Sequence, residues 1–523
     1  MPSPDRCNSP SRLFLIGLTF LLLLVWILPR LSAIVNNPLL LDDFYIGQSS
    51  EDLWIQEGPK IFLHSYRPLI YAIYQTVELA VPDHLMTVLP KILAGLFLSV
   101  SCSILYRYLC SLGLDHRASL VAPVFIIVHP IVNEITLWNS MYPLALAISL
   151  VAFGYTVVAF ARSTSKKVAG TMLMFAGTLG YQAYLSISLV MLTMDIGVSR
   201  LRGRRDSLRH YLHIFLLICA VAGMYIAYML LADLSMSSTD PRGITTIQDL
   251  GTYSEEKLHG IFNLIVNVWM PLLSYYFNLE TAWRHWELVP LSLCVSTFIL
   301  AFLSTRSLRI AISAAVLVLI LPFVGALFIL ATSQSPESWR TSVPSLYGTA
   351  LSIPIPLHYA LKLGKSLSNE AAWISVLVVS TVIVAVLAPI ARYESVLRVK
   401  SYHEDLHVLA QLSQYWEDAG VQKHDVRVAV FPSPNDHLYS SSRSAKGVTK
   451  AYQLIQGYSP LGWHFSWRGF VVHAGFRAFP QREPRLALPS AIAARACNGL
   501  PDATIGHKRI YHSVAHRVTV ICF

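Results

Sequence analysis

Long apolar runs separated by short polar stretches set the pattern of the first 391 residues. The runs lie near 13–31, 85–106, 119–137, 141–161, 168–181, 183–199, 211–232, 285–303, 310–332, 343–361 and 371–391. A bilayer core about 30 Å thick takes roughly 20 apolar residues as a helix, and most of the runs approach that length. They are too long for barrel strands, and backbone groups in hydrocarbon must bond within their own segment, so each reads as a helix. The pattern predicts an all-α polytopic membrane domain over residues 1–391 with about eleven crossings. Two further stretches, 68–82 and 247–280, are shorter or more polar and read as interfacial or re-entrant helices.

After Arg392 no run is long enough to cross, and charges, histidines and prolines become frequent. Residues 403–420 have helical periodicity ending at Gly420. Residues 425–433 read as a strand stopped by Pro432, and the closing HRVTVICF reads as another. Residues 392–523 are therefore expected to form a small soluble α/β domain.

Charge changes the picture by giving it an orientation. The chain is 54% hydrophobic and only 13% charged, with a net charge of +10, and its basic residues fall mainly in short clusters between the runs and in the C-terminal tail. Arg107 and Arg117, Arg162 with Lys166 and Lys167, Arg200 to Arg209, Arg306 with Arg309, and Lys362 with Lys365 all land on one side. With the N-terminus (Arg6, Arg12) in the cytoplasm, that side is the inner one. The basic clusters between spans then report topology, and no nucleic-acid partner is implied. The loop at about 32–84 falls outside. It carries Asp42, Asp43, Glu51, Asp52, Glu57, Glu78 and Asp83 against Lys60 and Arg67. An odd number of crossings puts 392–523 outside as well. The first run resembles a secretory signal, but no small-residue cleavage site follows promptly, so it reads as a retained span.

Of seven cysteines, Cys497 and Cys522 alone share the outer domain; they can pair in an oxidising compartment or stay as buried thiols. No P-loop, Gly-rich dinucleotide loop, CxxC or periodic repeat occurs. Chemistry must come from scattered polar residues, and four places stand out. Asp42 and Asp43 are adjacent carboxylates at a low-dielectric boundary, where repulsion suits one of them to act as general base. Arg67, in SYRPL, offers a planar fork for a phosphate or a partner for a nearby acid. His129, Asn133, Glu134, Trp138, Asn139 and Tyr142 crowd one outer turn, a composition suited to sugar. Glu134 lies at membrane depth, where a carboxylate is costly and must face a cavity or partner. Tyr181 and Gln182 sit at a turn flanked by Gly177, Gly180 and Ala183, small residues that allow close helix packing. All four are expected on the outer side, around one cavity.

In order, the chain has Asp42 and Asp43, Trp54, Arg67 to Leu69, Pro130 with Glu134 and Ser140, then Tyr181 with Gln182. This succession resembles the Gtr membrane glucosyltransferases that decorate bacterial O-antigen, and the match covers roughly 40–190. It implies a GT-C class enzyme of the bacterial inner membrane, working on the periplasmic face. The donor would be a polyprenyl-phosphate sugar, with glucose as the hexose, and the acceptor a lipid-linked glycan of lipopolysaccharide. The chain differs from those relatives at Ile46 and Gly47, where an arginine is usual, and at Asn139, where an aspartate is usual.

Under this resemblance Asp42 or Asp43 takes the acceptor proton, and Arg67 neutralises the departing phosphate with inversion at the anomeric carbon. Arg340, beside Trp339 in another outer loop, is a second candidate for the phosphate. Trp54, Glu134, Trp138, Asn139, Tyr142, Tyr181 and Gln182 line the sugar and acceptor. No cofactor is required, a divalent ion bridging the aspartates being the lesser alternative. Membrane lipids surround the protein. Two other classes compete: a flippase or transporter of lipid-linked sugar, and a polysaccharide polymerase or ligase. The latter would use His464, His473, Arg477, Arg482 and Arg485 of the outer domain.

Overall fold

The computed structural model describes residues 10–36, 67–82, 85, 88–137, 142–203, 208–236, 254–276, 287–328, 339–364, 368–431, 471, 476–478, 501–505 and 508–522. It is mostly helical: α1 (Arg12–Val35), α2 (Pro68–Ala80), α3 (Leu89–Leu112), α4 (His116–Val128), α5 (Pro130–Thr136), α6 (Tyr142–Phe160), α7 (Thr164–Gly180), α8 (Gln182–Leu201), α9 (Leu208–Met236), α10 (Ser254–Tyr276), α11 (Leu288–Thr305), α12 (Leu308–Ala326), α13 (Trp339–Ser352), α14 (Pro354–Leu363) and α15 (Asn369–Asp418). These residues divide into two compact units. The first holds α1 to Leu31, α2 to α14 and α15 to Tyr393; the second takes the end of α1 from Ser32 and the chain from Glu394.

Among the described residues eight continuous helices are long and apolar enough to cross a membrane, namely α1, α3, α6, α8, α9, α11, α12 and α15. The chain is a multi-pass membrane protein. The three other expected spans differ, each for a local reason. At 119–137 the helix breaks at Pro130, whose ring and missing N–H end the ladder, and α4 and α5 meet at 51°. The helix at 168–181 is α7, 17 residues long with the polar opening TSKK. The span expected at 343–361 is split at Ile353, where Pro354 starts α14. The two stretches read as interfacial or re-entrant contain α2 and α10.

Burial separates inner from outer helices. The apolar windows of α3, α6 and α8 are 61%, 67% and 61% buried, so these form the centre of the first unit. That of α11 is 11% buried and that of α1 22%, and their outward leucines and phenylalanines suit contact with lipid. Between α6 and α7 glycines replace side chains. A Cβ on Gly170 would stand 2.7 Å from the Gly154 carbonyl oxygen, and one on Gly177 would stand 2.7 Å from the Ala147 carbonyl oxygen. The two backbones therefore touch along most of their length, as small residues permit in helix pairs within a membrane.

The span expected at 371–391 and the helical periodicity read at 403–420 are both found, joined in one helix. Both belong to α15, 50 residues long, because 392–402 holds neither proline nor glycine and nothing stops the ladder. Its end is as the sequence suggests. Gly420 takes φ +71°, the Val421 N–H donates to the Trp416 carbonyl at 2.8 Å, and the Gly420 N–H donates to that of Glu417 at 3.0 Å, a paired C-terminal cap that needs the left-handed residue.

A five-stranded sheet follows, from β1 (Arg427–Phe431), β2 (Arg477–Ala478), β3 (Ala503–Ile505), β4 (Lys508–Ser513) and β5 (Val518–Cys522), in the order β2-β1-β5-β4-β3. β1 runs parallel to β5, with Val428 opposite Thr519 and Val430 opposite Ile521. β4 is antiparallel to β5. The central β5 is buried along its length. Val408, Leu409, Leu412 and Trp416 form one face of α15 at helical spacing, and they pack with Val428, Val430, Val520 and Ile521 into the core of this unit.

Candidate functional site

The break between α4 and α5 organises one end of the first unit. Proline at 130 strips carbonyls of their usual partners, and those groups must bond elsewhere when buried. Arg30, near the end of α1 and fully buried, donates to the Ile127 carbonyl at 3.2 Å, the His129 carbonyl at 3.1 Å and the Trp26 carbonyl at 3.1 Å. Its Nε donates to Asn133 Oδ1, and Asn133 Nδ2 in turn donates to the Ala391 carbonyl at 3.3 Å. His129 accepts from the Ile131 N–H at Nδ1, so its Nε2–H is the donor to the Val268 carbonyl, 2.9 Å away. Arg30, His129 and Asn133 thus tie α1, α10 and α15 to the broken helix. His129 and Asn133, grouped above with residues suited to sugar, hold the backbone here. Arg30 lay unremarked in the first apolar run; an arginine inside such a run was the signal available.

At the same end of the unit stand several of the residues singled out in the sequence. Pro68 occupies the first turn of α2, where its fixed φ favours the helix, and Arg67 precedes it, 7% exposed. The Arg67 guanidinium lies 4.6 Å from the centre of the Tyr181 ring, in cation–π contact. Tyr181 closes α7 in an extended conformation, and its ring sits 4.9 Å from that of Tyr184. Next to it, Gln182 turns its Oε1 inward, shielded from solvent and with no hydrogen-bond donor among the described residues. The Tyr142 hydroxyl donates to the Ile73 carbonyl at 3.3 Å, tying α6 to α2. Glu134 is buried in α5.

The structure brings Arg67 and Tyr181 into contact and joins Tyr142 to the same α2 helix. Chain direction puts the starts of α2, α3, α6 and α8 and the ends of α4 and α7 at this end of the unit. The basic residues at 107–117 and 162–167, with Arg200, Arg202 and Arg209, lie at the other. Asp42, Asp43, Trp54, Trp138 and Asn139 lie outside the described residues. So does the side chain of Arg340, whose backbone begins α13. Among the described residues no three His, Cys, Asp or Glu side chains gather as metal ligands would.

In the second unit Cys522 is disulfide-bonded; Cys497, its expected partner, lies outside the described residues, as do His464, His473, Arg482, Arg485 and the side chain of Arg477. The described polar feature here is a chain of hydrogen bonds in the core. The Trp416 indole N–H donates to Thr519 Oγ1 at 2.8 Å, and the Thr519 hydroxyl lies 3.1 Å from His512 Nδ1. As Thr519 accepts from tryptophan, its own proton points to Nδ1. The His512 ring stacks on Tyr415 at 3.8 Å. Burial pushes the imidazole down to about 4, against the opposing pull of Asp502, so it is neutral at physiological pH.

No protein-family model matches the chain, and no curated protein matches it in sequence.

Proposed function

We propose that this protein is a membrane glycosyltransferase of the GT-C kind, moving a hexose from a polyprenyl-phosphate donor to a lipid-linked glycan on the outer face of a bacterial inner membrane. The observation that supports it best is the Arg67–Tyr181 contact. A buried guanidinium against an aromatic ring, next in the chain to the Gln182 acceptor and at the same end of the bundle as a helix break, offers a phosphate partner and sugar-binding groups. In this reading Asp42 or Asp43 accepts the proton of the acceptor hydroxyl as its oxygen bonds to the anomeric carbon. The bond from that carbon to the phosphate oxygen breaks, and Arg67 stabilises the charge left on the polyprenyl phosphate. Arg340 is a second phosphate partner, and an eleven-crossing topology would put both arginines outside.

Transfer of labelled sugar from polyprenyl-phosphate glucose in membranes tests this. Arg67→Ala is expected to slow transfer by on the order of 10²-fold, the usual effect of removing one charge-stabilising donor. Asp42→Asn or Asp43→Asn should abolish it, and full activity in both aspartate variants removes the base assignment.

One feature favours a second reading. Discontinuous helices with polar groups at the break are common in transporters, and α4–α5 is such a pair. A purified protein that equilibrates labelled lipid-linked sugar across vesicles, yet transfers none, would identify a flippase.

A further inference from the structure

In the second unit α15 turns Val408, Leu409, Leu412 and Trp416 to the core and carries His403, Glu404, His407 and Gln411 exposed on its other side. Residues four apart on a helix stand one above the next, so the imidazoles of His403 and His407 share one stripe, and Gln411 continues it by a turn. The first three belong to the run His-Glu-Asp-Leu-His, the helical His-Glu-x-x-His pattern in which two imidazoles on one face take a zinc ion with a carboxylate between them. The fold does not consume these rings. Among the described residues His403 forms no hydrogen bond, and its ring lies 5.7 Å from that of Tyr402. His407 meets the Gln411 carboxamide through Nε2 at 3.0 Å, which leaves its Nδ1 open. Glu404 keeps an exposed carboxylate on the same stretch, 3.8 Å from the Lys400 ammonium.

We propose that His403 and His407 bind a divalent transition-metal ion, zinc or copper, across one turn of α15. Imidazole nitrogen suits these ions, whereas magnesium and calcium call for a shell of oxygens. Two nitrogens fill half of a tetrahedral zinc shell and water completes it, so the bound ion keeps open positions. Glu404 is no ligand here; it adds negative charge beside the ion. Gln411 becomes a positioning residue. When its carboxamide oxygen makes the 3.0 Å contact, it accepts the Nε2–H of His407 and leaves the lone pair on Nδ1 for the metal, as outer hydrogen bonds fix the tautomer of metal-binding histidines. The helix itself supplies the preorganisation: it is 50 residues long and capped at Gly420, so no loop has to close for the pair to form.

The site uses none of the groups assigned to sugar transfer, so it is read by binding alone. Full-length protein in detergent, stripped with a chelator, is titrated with zinc(II), copper(II) or magnesium(II) and followed by calorimetry. A zinc and copper site that depends on both histidines is expected, with no binding of magnesium there. His403→Gln and His407→Gln should each weaken zinc by about tenfold or more, since even the loss of an outer partner costs that much. His424→Gln, at an exposed imidazole outside the pair, should leave zinc affinity unchanged. Because the pair is exposed, both variants should melt like the wild type without metal, and zinc should raise the thermal midpoint of the wild type but not of the variants. Gln411→Ala should weaken zinc, and Gln411→Glu, which keeps an acceptor, should restore it; equal affinity in the alanine variant removes the positioning role. Zinc affinity that survives both His403→Gln and His407→Gln, or magnesium that binds as zinc does, overturns the assignment.

Discussion

Arg30 shows how one side chain can decide whether a broken helix is tolerated inside apolar surroundings. Its guanidinium bonds the Ile127 and His129 carbonyls beside the break and Asn133 after it, so Arg30→Met should leave buried acceptors open and cost about 3 kcal/mol; the measurement is a lowered thermal midpoint in detergent. In the second unit, Thr519→Val keeps shape but strips a partner from both Trp416 and His512. A loss of about 1–3 kcal/mol is expected for the unsatisfied groups, read by denaturation of the full chain through the tryptophan signal. The same imidazole makes this unit sensitive to acid. Its folded value, about 4, lies below the ordinary 6.5, so the unfolded chain takes up the proton first. The stabilisation is complete above about 6.5 and is lost as pH falls towards 4. His512→Gln should flatten that part of the stability profile. These residues were hard to see beforehand. Arg30 was hidden in a leucine-rich run, and the tryptophan–threonine–histidine chain joins residues 103 apart in sequence.

At the scale of elements, α6 and α7 approach closely where glycines leave little side chain between them. Gly170→Leu would drive a side chain into the Gly154 carbonyl and should cost about 1–3 kcal/mol or more. Gly223→Ala, where nothing lies within 4 Å, should be neutral or stabilising by up to about 1 kcal/mol from helix propensity alone. Melting curves of the two variants side by side give the comparison. Apolar runs made most helices legible, and alternating valines made β1 and β5 legible. Breaks were legible only in retrospect, since Pro130 and Pro354 lie within runs whose average apolarity stays high. The strands β3 and β4 escaped notice because one is three residues long and the other, KRIYHS, has little apolar alternation. The extent of α15 escaped because its composition changes from apolar to charged while its backbone does not. For the candidate site, the Arg67–Tyr181 contact could be foreseen only as membership of one cavity, since it pairs residues far apart in sequence.

For the molecule as a whole, the arrangement of basic residues at one end and Arg67 with Glu134 at the other makes sidedness a direct test. In a background with the exposed Cys219 changed to Ser, Lys166→Cys and His424→Cys are expected to react with an impermeant thiol reagent from opposite sides of the membrane; labelling from the same side would remove the outer assignment of the C-terminal unit. The bond between Arg30 and Asn133 also spans 103 residues, and this has a consequence for biosynthesis. Chains emerge at roughly 5–20 residues per second, so α1 must enter the bilayer on the order of 5–20 s before the carbonyls that satisfy its arginine exist. During that interval Arg30 has the Trp26 carbonyl of its own helix and otherwise reaches for the interface along its apolar stem. The first helix is therefore inserted in a provisional state, and its final depth and rotation are set by a segment synthesised much later.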